Sequence, residues 1–371
     1  MRVNLDVSAV PVRPAGAGRY VVEMARRLPT AELDLTVVTR RDDVERWGTL
    51  APRARALNLV PSPRPARLLF EAVQLARGVS AQADLWHGPH YTMPHRAQIP
   101  VVVTICDMTF FTNPEWHEAA KVPVFRRAIS YAARHADALI SISDTTTRLL
   151  NDIAQPRVPV TTIPLGVDLD RFAPEGDDKE MFDGAHLPLD RPYFFFLGTF
   201  EPRKGLDVLL DAFSEVAAND ATVELWLGGQ VGWHATGSDG VLADHPFASR
   251  IRRLGYVDDA LVPALMRHAR AVCYPSRGEG FGLPALEALA CGAQVITSLG
   301  TVMEDITGPA AELVGIGDVN GLAHAMTRTA GLSDHERAER SRAARKRAEV
   351  FSWDATAQAH RALYQQVISQ A

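Results

Sequence analysis

The stretch from Ala271 to Ser298, AVCYPSRGEGFGLPALEALACGAQVITS, decides the fold. Two strand-like runs, AVCYPS and QVITS, flank a helical pattern, LPALEALACG. A strand, a helix and a second strand in this order predict a βαβ unit, whose strands lie parallel in one sheet. Pro284 suits the first helical position, where a backbone N–H is not needed, so we expect the helix to begin there.

The same alternation covers most of the chain and predicts two α/β domains. Strand-like runs in the first half are RVNLDV, LDLTVVT, DLWHG, PVVVTICD and ALISIS, and a second series begins after residue 190 with YFFFLG and TVELWLGG. Helical patterns lie between them, which indicates parallel sheets covered on both faces. The segment from Pro174 to Leu189 is rich in Gly, Pro and acidic residues, as connections between domains often are. We therefore predict domains at 1–174 and 175–352.

Composition narrows the class of protein. The 371 residues exceed what one core comfortably holds, and a net charge of -5 with both signs mixed argues against a nucleic-acid partner. The cysteines, Cys106, Cys273 and Cys291, lie far apart, so neither a disulfide framework nor a zinc site is expected. The N-terminus enters a strand-like run directly, and no stretch approaches the roughly 20 apolar residues of a membrane span. We expect a cytoplasmic protein.

Two turns between a strand and a helix carry residues suited to an anion. In VRPAGAGRYVVEM, Gly16 and Gly18 would let a phosphate approach the backbone, although a plain tight turn explains them equally well. In FLGTFEPRKGLDVLL, Arg203 and Lys204 come just before a helix. Cations are unfavourable at a helix N-terminus, so we expect an anion nearby. The alternative is that both side chains lie in solvent.

Two glutamates frame the glycine-rich turn of the opening stretch. Glu279 falls in the loop, and Glu287 falls one turn into the helix. A carboxylate can accept two neighbouring hydroxyl groups, so two carboxylates with backbone N–H groups and two cations suit a nucleotide sugar. Alternatively, Glu287 only favours the helix dipole and Glu279 is a loop acid, which leaves the Gly-Phe-Gly spacing unexplained.

These residues resemble glycosyltransferase family 4, the retaining glycosyltransferases with the GT-B fold. The most specific match is EGFGLPALE, which has the E-x7-E pattern, supported by GAGRY, IPLGVDLDRF, LGTFEPRKGL, LGYVDD and FSWDATAQAHRALY in order along the chain. The resemblance implies an α/β protein with two Rossmann-like, doubly wound parallel-sheet domains facing across a cleft. It also implies that a C-terminal helix at about 353–371 crosses back to the first domain.

The resemblance implies a role for each matching residue. Glu287 would accept the ribose hydroxyls, Glu279 would contact the donor sugar, and Lys204 with Arg203 would hold the diphosphate. Other residues would bind phosphate oxygens through backbone N–H groups or border the base. The donor-binding set is Gly16, Gly18, Thr199, Arg203, Lys204, Tyr256, Val257, Glu279, Gly280, Phe281, Gly282, Leu283 and Glu287. The catalytic set is Glu279, Lys204, Arg203 and Asp107.

The chain departs from the family pattern at two positions. Thr199 stands where many relatives have Arg, and Arg203 is expected to supply the missing charge. Cys106 precedes Asp107 where relatives commonly have His. A thiol cannot carry a cation near pH 7, so either activity is tuned differently or His87 or His90 substitutes. Cys106 in simple buried packing is the alternative.

Two other patterns are given less weight. Asp168 and Asp170 spell the DxD metal signature of a different glycosyltransferase fold, but they lie in the family-like segment GVDLDRF, so no metal is expected. The histidines of HGPH have ligand spacing only on a helix, which Gly88-Pro89 prevents. We expect a turn at the cleft rim, where His87 or His90 touches substrate.

The expected activity is a retaining, metal-independent transfer of a hexose from a GDP- or UDP-sugar to a glycan or lipid-linked acceptor held by the first domain. The form LGT.EPRKGL resembles bacterial mannosyltransferases of surface-polysaccharide pathways, which favours GDP-mannose. The alternatives are a nucleotide-sugar epimerase or hydrolase, or a catalytically silent nucleotide-sugar-binding protein. The helix carrying Arg126, Arg127 and Arg134 forms either a peripheral membrane contact or a solvated face. The sequence does not specify the oligomeric state.

Overall fold

The computed structural model describes residues 1–14, 16–62, 83–95, 97–230 and 242–371. The chain divides into two compact units, each with its own parallel sheet. The first unit comprises Met1–Gly166 and Trp353–Ala371, and the second comprises Val167–Ser352. The α/β class expected from the sequence is confirmed.

The first unit contains a seven-stranded sheet in the order β3-β2-β1-β4-β5-β6-β7. Its strands are β1 (Arg2–Asp6), β2 (Asp34–Arg40), β3 (Arg55–Val60), β4 (Leu85–Gly88), β5 (Val101–Ile105), β6 (Ala138–Ser141) and β7 (Val160–Thr162). Its described helices are α1 (Ala17–Arg27), α2 (Val44–Leu50), α3 (Thr109–Thr112), α4 (Lys121–His135), α5 (Asp144–Ala154) and the C-terminal α13 (Trp353–Gln370).

The second unit contains a six-stranded sheet in the order β10-β9-β8-β11-β12-β13. Its strands are β8 (Tyr193–Leu197), β9 (Glu224–Gly228), β10 (Ile251–Gly255), β11 (Ala271–Tyr274), β12 (Val295–Ser298) and β13 (Glu312–Val314). Its described helices are α6 (Asp178–Gly184), α7 (Leu206–Asn219), α8 (Val262–His268), α9 (Leu283–Ala290), α10 (Val302–Thr307), α11 (Val319–Ala330) and α12 (Asp334–Ala348).

The strands predicted from the sequence are the central strands of the two sheets. Every residue of β5 and β11 is buried, as expected for a strand with helices on both faces. The four strands that the prediction missed, β3, β7, β10 and β13, are the edges of the sheets. Their sequences mix polar and apolar residues because an edge strand is only partly covered.

The division between the units falls after Gly166 rather than near residue 175. The backbone N–H of Val167 donates to the carbonyl of Phe351 over 3.0 Å, and the guanidinium of Arg345 donates to the carbonyl of Phe172 over 2.8 Å. Residues 167–174 are therefore held by the second unit. The segment predicted as the connection contains α6, whose Asp178 accepts a 2.8 Å hydrogen bond from Arg267. Its polar composition reflects a surface helix.

The C-terminal helix returns to the first unit, as expected. A chain of buried hydrogen bonds fixes α13 against α1, β4 and β5. The hydroxyl of Tyr364 lies 2.7 Å from Nδ1 of His87, and Nε2 of His360 lies 2.8 Å from the hydroxyl of Tyr20. Thr104 closes the chain, with its Oγ1 2.8 Å from His87 and 2.9 Å from Tyr20.

Each sheet has one point where the strand order reverses. In the second unit this point lies between β8 and β11, and in the first it lies between β1 and β4. The loops that leave two such strands run to opposite faces of the sheet, so a crevice opens at their carboxyl ends. The loop after β8 carries Arg203 and Lys204, and the loop after β11 carries Glu279.

Candidate functional site

The loops after β8 and β11 meet at the switch point of the second sheet. The first loop forms a short 3-10 turn, Pro202–Lys204, and Gly205 then adopts a φ of 68° before α7 begins. A Cβ on Gly205 would lie only 2.1 Å from the carbonyl oxygen of Pro275 in the second loop. Gly205 is therefore required both by its conformation and by the close approach of the two loops.

Glu279 is paired with both predicted phosphate-binding cations. Its Oε1 lies 2.6 Å from Nζ of Lys204, and its Oε2 lies 2.8 Å from Nη1 of Arg203. The side chains of Glu279 and Lys204 are only 9% and 8% exposed, so this is a buried ion pair. The expectation that the two cations have an anion nearby is met by a carboxylate of the chain itself.

Two further donors complete the surroundings of Glu279. The hydroxyl of Ser276 donates to Oε1 over 3.0 Å, and the hydroxyl of Tyr274 donates to the same atom over 3.3 Å. Lys204 in turn donates to the Tyr274 hydroxyl, and its ammonium lies 4.8 Å from the centre of the Tyr274 ring. Neither residue belongs to a motif of the sequence, although Tyr274 ends β11 and Ser276 lies two residues beyond it, where a parallel sheet places ligand-binding groups.

The ion pairs determine the protonation state of the cluster. Burial alone would raise the pKa of Glu279, but Lys204 and Arg203 outweigh it and lower the pKa to about 2. Burial raises the pKa of Tyr274 well above its usual value, and the Glu279 carboxylate adds to this shift. Burial lowers the pKa of Lys204 against the opposing effect of Glu279. Glu279 is therefore ionised at neutral pH, and Tyr274 is a neutral donor.

Arg203 bridges two carboxylates. Its Nε donates to Oε2 of Glu201 over 2.9 Å while its Nη1 donates to Glu279. Burial lowers the pKa of Arg203, but its neighbours, chiefly Glu279, together more than compensate, so the pKa of the guanidinium lies above its ordinary value. With Lys204, which also pairs with Glu279, the cluster has two positive and two negative side chains.

Helix α9 begins at Leu283, one residue before the expected start at Pro284. Gly282 precedes it with a φ of 101°, and a Cβ there would lie 2.2 Å from Sδ of Met303. Glu287, on the second turn of α9, is buried at 3% exposure. Its role toward a ribose stays a prediction.

The other candidates of the second unit lie in the loops after β8, β10 and β11. Tyr256 is 51% exposed, while Val257 is buried at 5% against Gly228. Thr199 lies two residues after the end of β8, and Gly280 lies beside Glu279. Phe281 is 3% exposed and packs edge-to-face on Phe351, so its ring is part of the core.

The candidates of the first unit lie after β1 and β5. Gly16, with a φ of 49°, caps α1, and Gly18 lies within that helix. Asp107 accepts hydrogen bonds from the backbone N–H and the hydroxyl of Thr109 at 3.0 and 2.6 Å. The same hydroxyl lies 2.8 Å from Nε2 of His117, a residue that the sequence analysis did not single out.

His87 is not at a rim. It lies within β4 and is fully buried in the hydrogen-bond chain that fixes α13, and burial lowers its pKa well below the usual value. Of the two histidines expected to offer a substrate contact, burial therefore excludes His87 and leaves His90, which is partly exposed beside Tyr91 and Phe125. Cys106 is 5% exposed, and burial raises the pKa of its thiol, as expected for a packing residue.

The DxD pattern of Asp168 and Asp170 has a structural explanation. Oδ1 of Asp168 accepts from the backbone N–H groups of Asp170 and Arg171, which caps a turn. Across the described ranges, no place gathers three or more His, Cys, Asp or Glu side chains as a metal site would.

The arginines of α4 differ in their surroundings. Arg126 donates to the carbonyl of Phe110 over 2.7 Å, and Arg127 and Arg134 are exposed. Among the described helices, none combines the length and hydropathy needed to span a bilayer.

Two family models match consecutive parts of the chain. The model of glycosyltransferase family 4 matches residues 14–171, and the model of glycosyl transferases group 1 matches residues 191–331. The O-antigen chain mannosyltransferase B of Escherichia coli is 29% identical over 87% of this chain and 89% of that protein. A D-inositol 3-phosphate glycosyltransferase of Mycolicibacterium paratuberculosis is 34% identical over 98% of this chain and 90% of that protein.

Solved structures share the fold along the whole chain. Sucrose-phosphate synthase from Thermosynechococcus elongatus superposes with a TM-score of 0.82 at 21% identity and 100% coverage of both chains. The crystal structure of Anabaena HepE in complex with UDP-glucose superposes with a TM-score of 0.76 at 17% identity, also with 100% coverage of both. The chain therefore belongs to glycosyltransferase family 4 and has the GT-B fold.

Proposed function

We propose that this glycosyltransferase moves a hexose from a nucleoside diphosphate sugar to a glycan or lipid-linked acceptor, with retention of configuration and without a metal. The observation that carries the proposal is the pair of adjacent cations, the partly buried Arg203 and the buried Lys204, at the switch point of the second sheet. A diphosphate is the part of a nucleotide sugar that two adjacent cations recognise. GDP-mannose is the preferred donor because a mannosyltransferase is among the relatives.

Each part of the donor has a candidate partner in the second unit. Lys204 and Arg203 bind the diphosphate, helped by backbone N–H groups at the start of α9 near Gly282. Glu287 accepts the ribose hydroxyls, as a buried carboxylate can take two at once. Tyr256 offers an exposed ring to the base.

The proposed reaction breaks the bond between C1 of the sugar and the diphosphate oxygen. The bonding electron pair leaves with the diphosphate, while the sugar becomes oxocarbenium-like. The acceptor oxygen forms the new bond to C1 on the face that the diphosphate leaves, and the acceptor proton passes to a phosphate oxygen. Arg203 and Lys204 bind the developing negative charge more strongly than the ground state, which lowers the barrier.

Glu279 serves this reaction as a negative charge. Paired with Lys204 and Arg203 it has a pKa of about 2, so its carboxylate enters the reaction ionised at neutral pH and is not a general acid. A carboxylate near C1 favours the positive charge that develops on the sugar. The first unit is assigned the acceptor, and Asp107, held by Thr109 at the end of β5, is its candidate catalytic residue.

A binding and product screen tests the proposal. Purified protein is incubated with GDP-, UDP- and dTDP-sugars, with and without EDTA, and with a panel of glycan and lipid-linked acceptors. We expect one donor to raise the melting temperature in EDTA and to yield product only with acceptor. No stabilisation by any donor would refute a nucleotide-sugar site. Turnover without acceptor would instead indicate a hydrolase or epimerase, and binding without turnover a silent binding protein.

A further inference from the structure

Glu279 receives the hydrogen bonds that an anionic ligand would receive. Four side chains donate to its two oxygens: Arg203 to Oε2, and Lys204, Ser276 and Tyr274 to Oε1. Two of these donors are the cations to which the proposed function assigns the diphosphate.

Glu201, Glu279 and Tyr274 already occupy part of the donor capacity of the two cations. A guanidinium holds a phosphate best through two parallel N–H groups. In Arg203, however, Nε is directed at Glu201 and Nη1 at Glu279. Lys204 has three donors, of which one is used by Glu279 and one by Tyr274. A diphosphate that takes over the donors now directed at Glu279 on both cations must therefore displace the carboxylate.

Charge leads to the same conclusion. The two cations are already neutralised by Glu201 and Glu279. A diphosphate placed beside an unmoved Glu279 would bring further negative charge against a buried carboxylate, which is unfavourable where water screens poorly.

Resting on the proposed function, we propose that Glu279 and the donor diphosphate compete for Arg203 and Lys204. Glu279 leaves the cations when the donor binds, which directs its carboxylate to the sugar. It returns to them after transfer, which helps to expel the nucleoside diphosphate product.

The local chain is built for such an exchange. Glu279 stands between Gly278 and Gly280, and Gly282 follows with a φ of 101°. Glycines on both sides give the backbone more freedom to redirect this side chain than other residues would. Tyr274 is fully buried at the end of β11 and keeps its contact with Lys204 when the carboxylate moves away. The cation is thereby fixed while its anionic partner changes.

Removal of an ordinary binding residue weakens ligand binding, whereas removal of a competing carboxylate should strengthen it. Glu279→Gln keeps the shape of the side chain but removes the competing charge. We expect calorimetry to show GDP, UDP and inorganic pyrophosphate binding about tenfold more tightly to this variant than to the parent, as expected for loss of a close like charge. We also expect GDP to become a stronger product inhibitor and kcat to fall.

Glu312→Gln is the matched control. Glu312 lies on the edge strand β13, is 12% exposed, and is also paired with two arginines, Arg328 and Arg340. The control removes the same charge from the same unit, and it should leave the affinity for pyrophosphate unchanged. A gain of equal size in both variants would assign the effect to net charge and overturn the competition.

Ser276→Ala tests the competition with every charge kept. The substitution removes one hydrogen bond that holds Glu279 on the cations, so pyrophosphate should bind about threefold more tightly. If Glu279→Gln does not fold, this variant decides the question. Equal or weaker binding by the variants, with normal binding by the parent, would overturn the competition and leave the proposed function standing. Absence of binding by the parent as well would refute the proposed function itself.

Discussion

The ammonium of Lys204 lies 2.6 Å from the carboxylate of Glu279, although 75 residues separate them in the chain. The contact joins the loops that follow β8 and β11, the two strands at the switch point of the second sheet. It creates a buried cluster of charge where a parallel sheet binds its ligand.

Replacement of Lys204 tests the diphosphate site. Lys204→Ala should lower the affinity for GDP about a hundredfold, because it removes the buried charge to which we assign the phosphate. The substitution also leaves Glu279 with only Arg203 as a cationic partner, so the free energy of unfolding should fall by about 2 kcal/mol. Lys179→Ala, in the exposed pair with Asp183, is the control and should change neither quantity. Unchanged GDP affinity in Lys204→Ala would contradict the assignment.

Replacement of Glu287 distinguishes binding of the ribose from binding of the phosphate groups. Glu287→Gln should weaken binding of GDP about tenfold, because a primary amide accepts two hydroxyls less well than a carboxylate. Binding of inorganic pyrophosphate should be unchanged. The parent protein should also prefer GDP to 2′-deoxy-GDP, and the variant should lose this preference. An equal loss of affinity for pyrophosphate would place Glu287 at the phosphate instead.

Gly282→Ala tests the entry to α9. The backbone has a φ of 101°, and the new Cβ would lie 2.2 Å from Sδ of the buried Met303. We expect a loss of about 2 kcal/mol in the free energy of unfolding together with weaker GDP binding. Gly48→Ala is the control, because Gly48 lies in α2 with open space around it and alanine favours a helix. Equal unfolding free energies for the two variants would refute the strain argument.

The first unit should lose stability as the pH falls below neutrality. Burial lowers the pKa of His360 to about 4, so this ring stays neutral in the folded protein where the unfolded chain takes up a proton. The unfolded state therefore binds more protons between about pH 6.5 and 4, and the free energy of unfolding falls by roughly 3 kcal/mol over that range. Burial lowers the pKa of His87 as well, which acts in the same direction.

Urea unfolding of the first unit at several pH values checks this dependence. His360→Gln should reduce the slope of the unfolding free energy against pH, whatever its effect on absolute stability. His135→Gln, which alters an exposed ring of α4, should keep the parent slope. The same slope in all three proteins would show that the buried chain of hydrogen bonds does not titrate as described.

The central strands and long helices could be predicted because their apolar residues recur at the spacing of buried elements. The edge strands could not, since β3 and β10 mix polar and apolar residues without a regular alternation, in partly covered positions. The segment at 174–189 was misread because the polar residues of the short helix α6 resemble those of a linker.

Motif spacing located the main site residues, but the contacts between them required the structure. Arg203, Lys204 and Glu279 follow from position along the chain, whereas the pairing of Glu279 with both cations depends on the close packing of two distant loops. Tyr274 and Ser276 were missed because a hydroxyl at the end of a strand is common. Only its contacts in the folded protein show whether it belongs to a site. The sequence left His87 and His90 as alternatives because the burial of His87 depends on its contact with α13 at Tyr364, 277 residues further along the chain.

The most direct test of the central claim is proton and phosphorus NMR of the reaction in EDTA, with the donor and acceptor found in the screen. We predict that the anomeric signal of the product has the same configuration as the donor, with one nucleoside diphosphate released per sugar transferred. Lys179→Ala should match the parent protein, while Lys204→Ala should lose transfer. Inverted configuration, or transfer that appears only when a divalent metal is restored, would contradict the account.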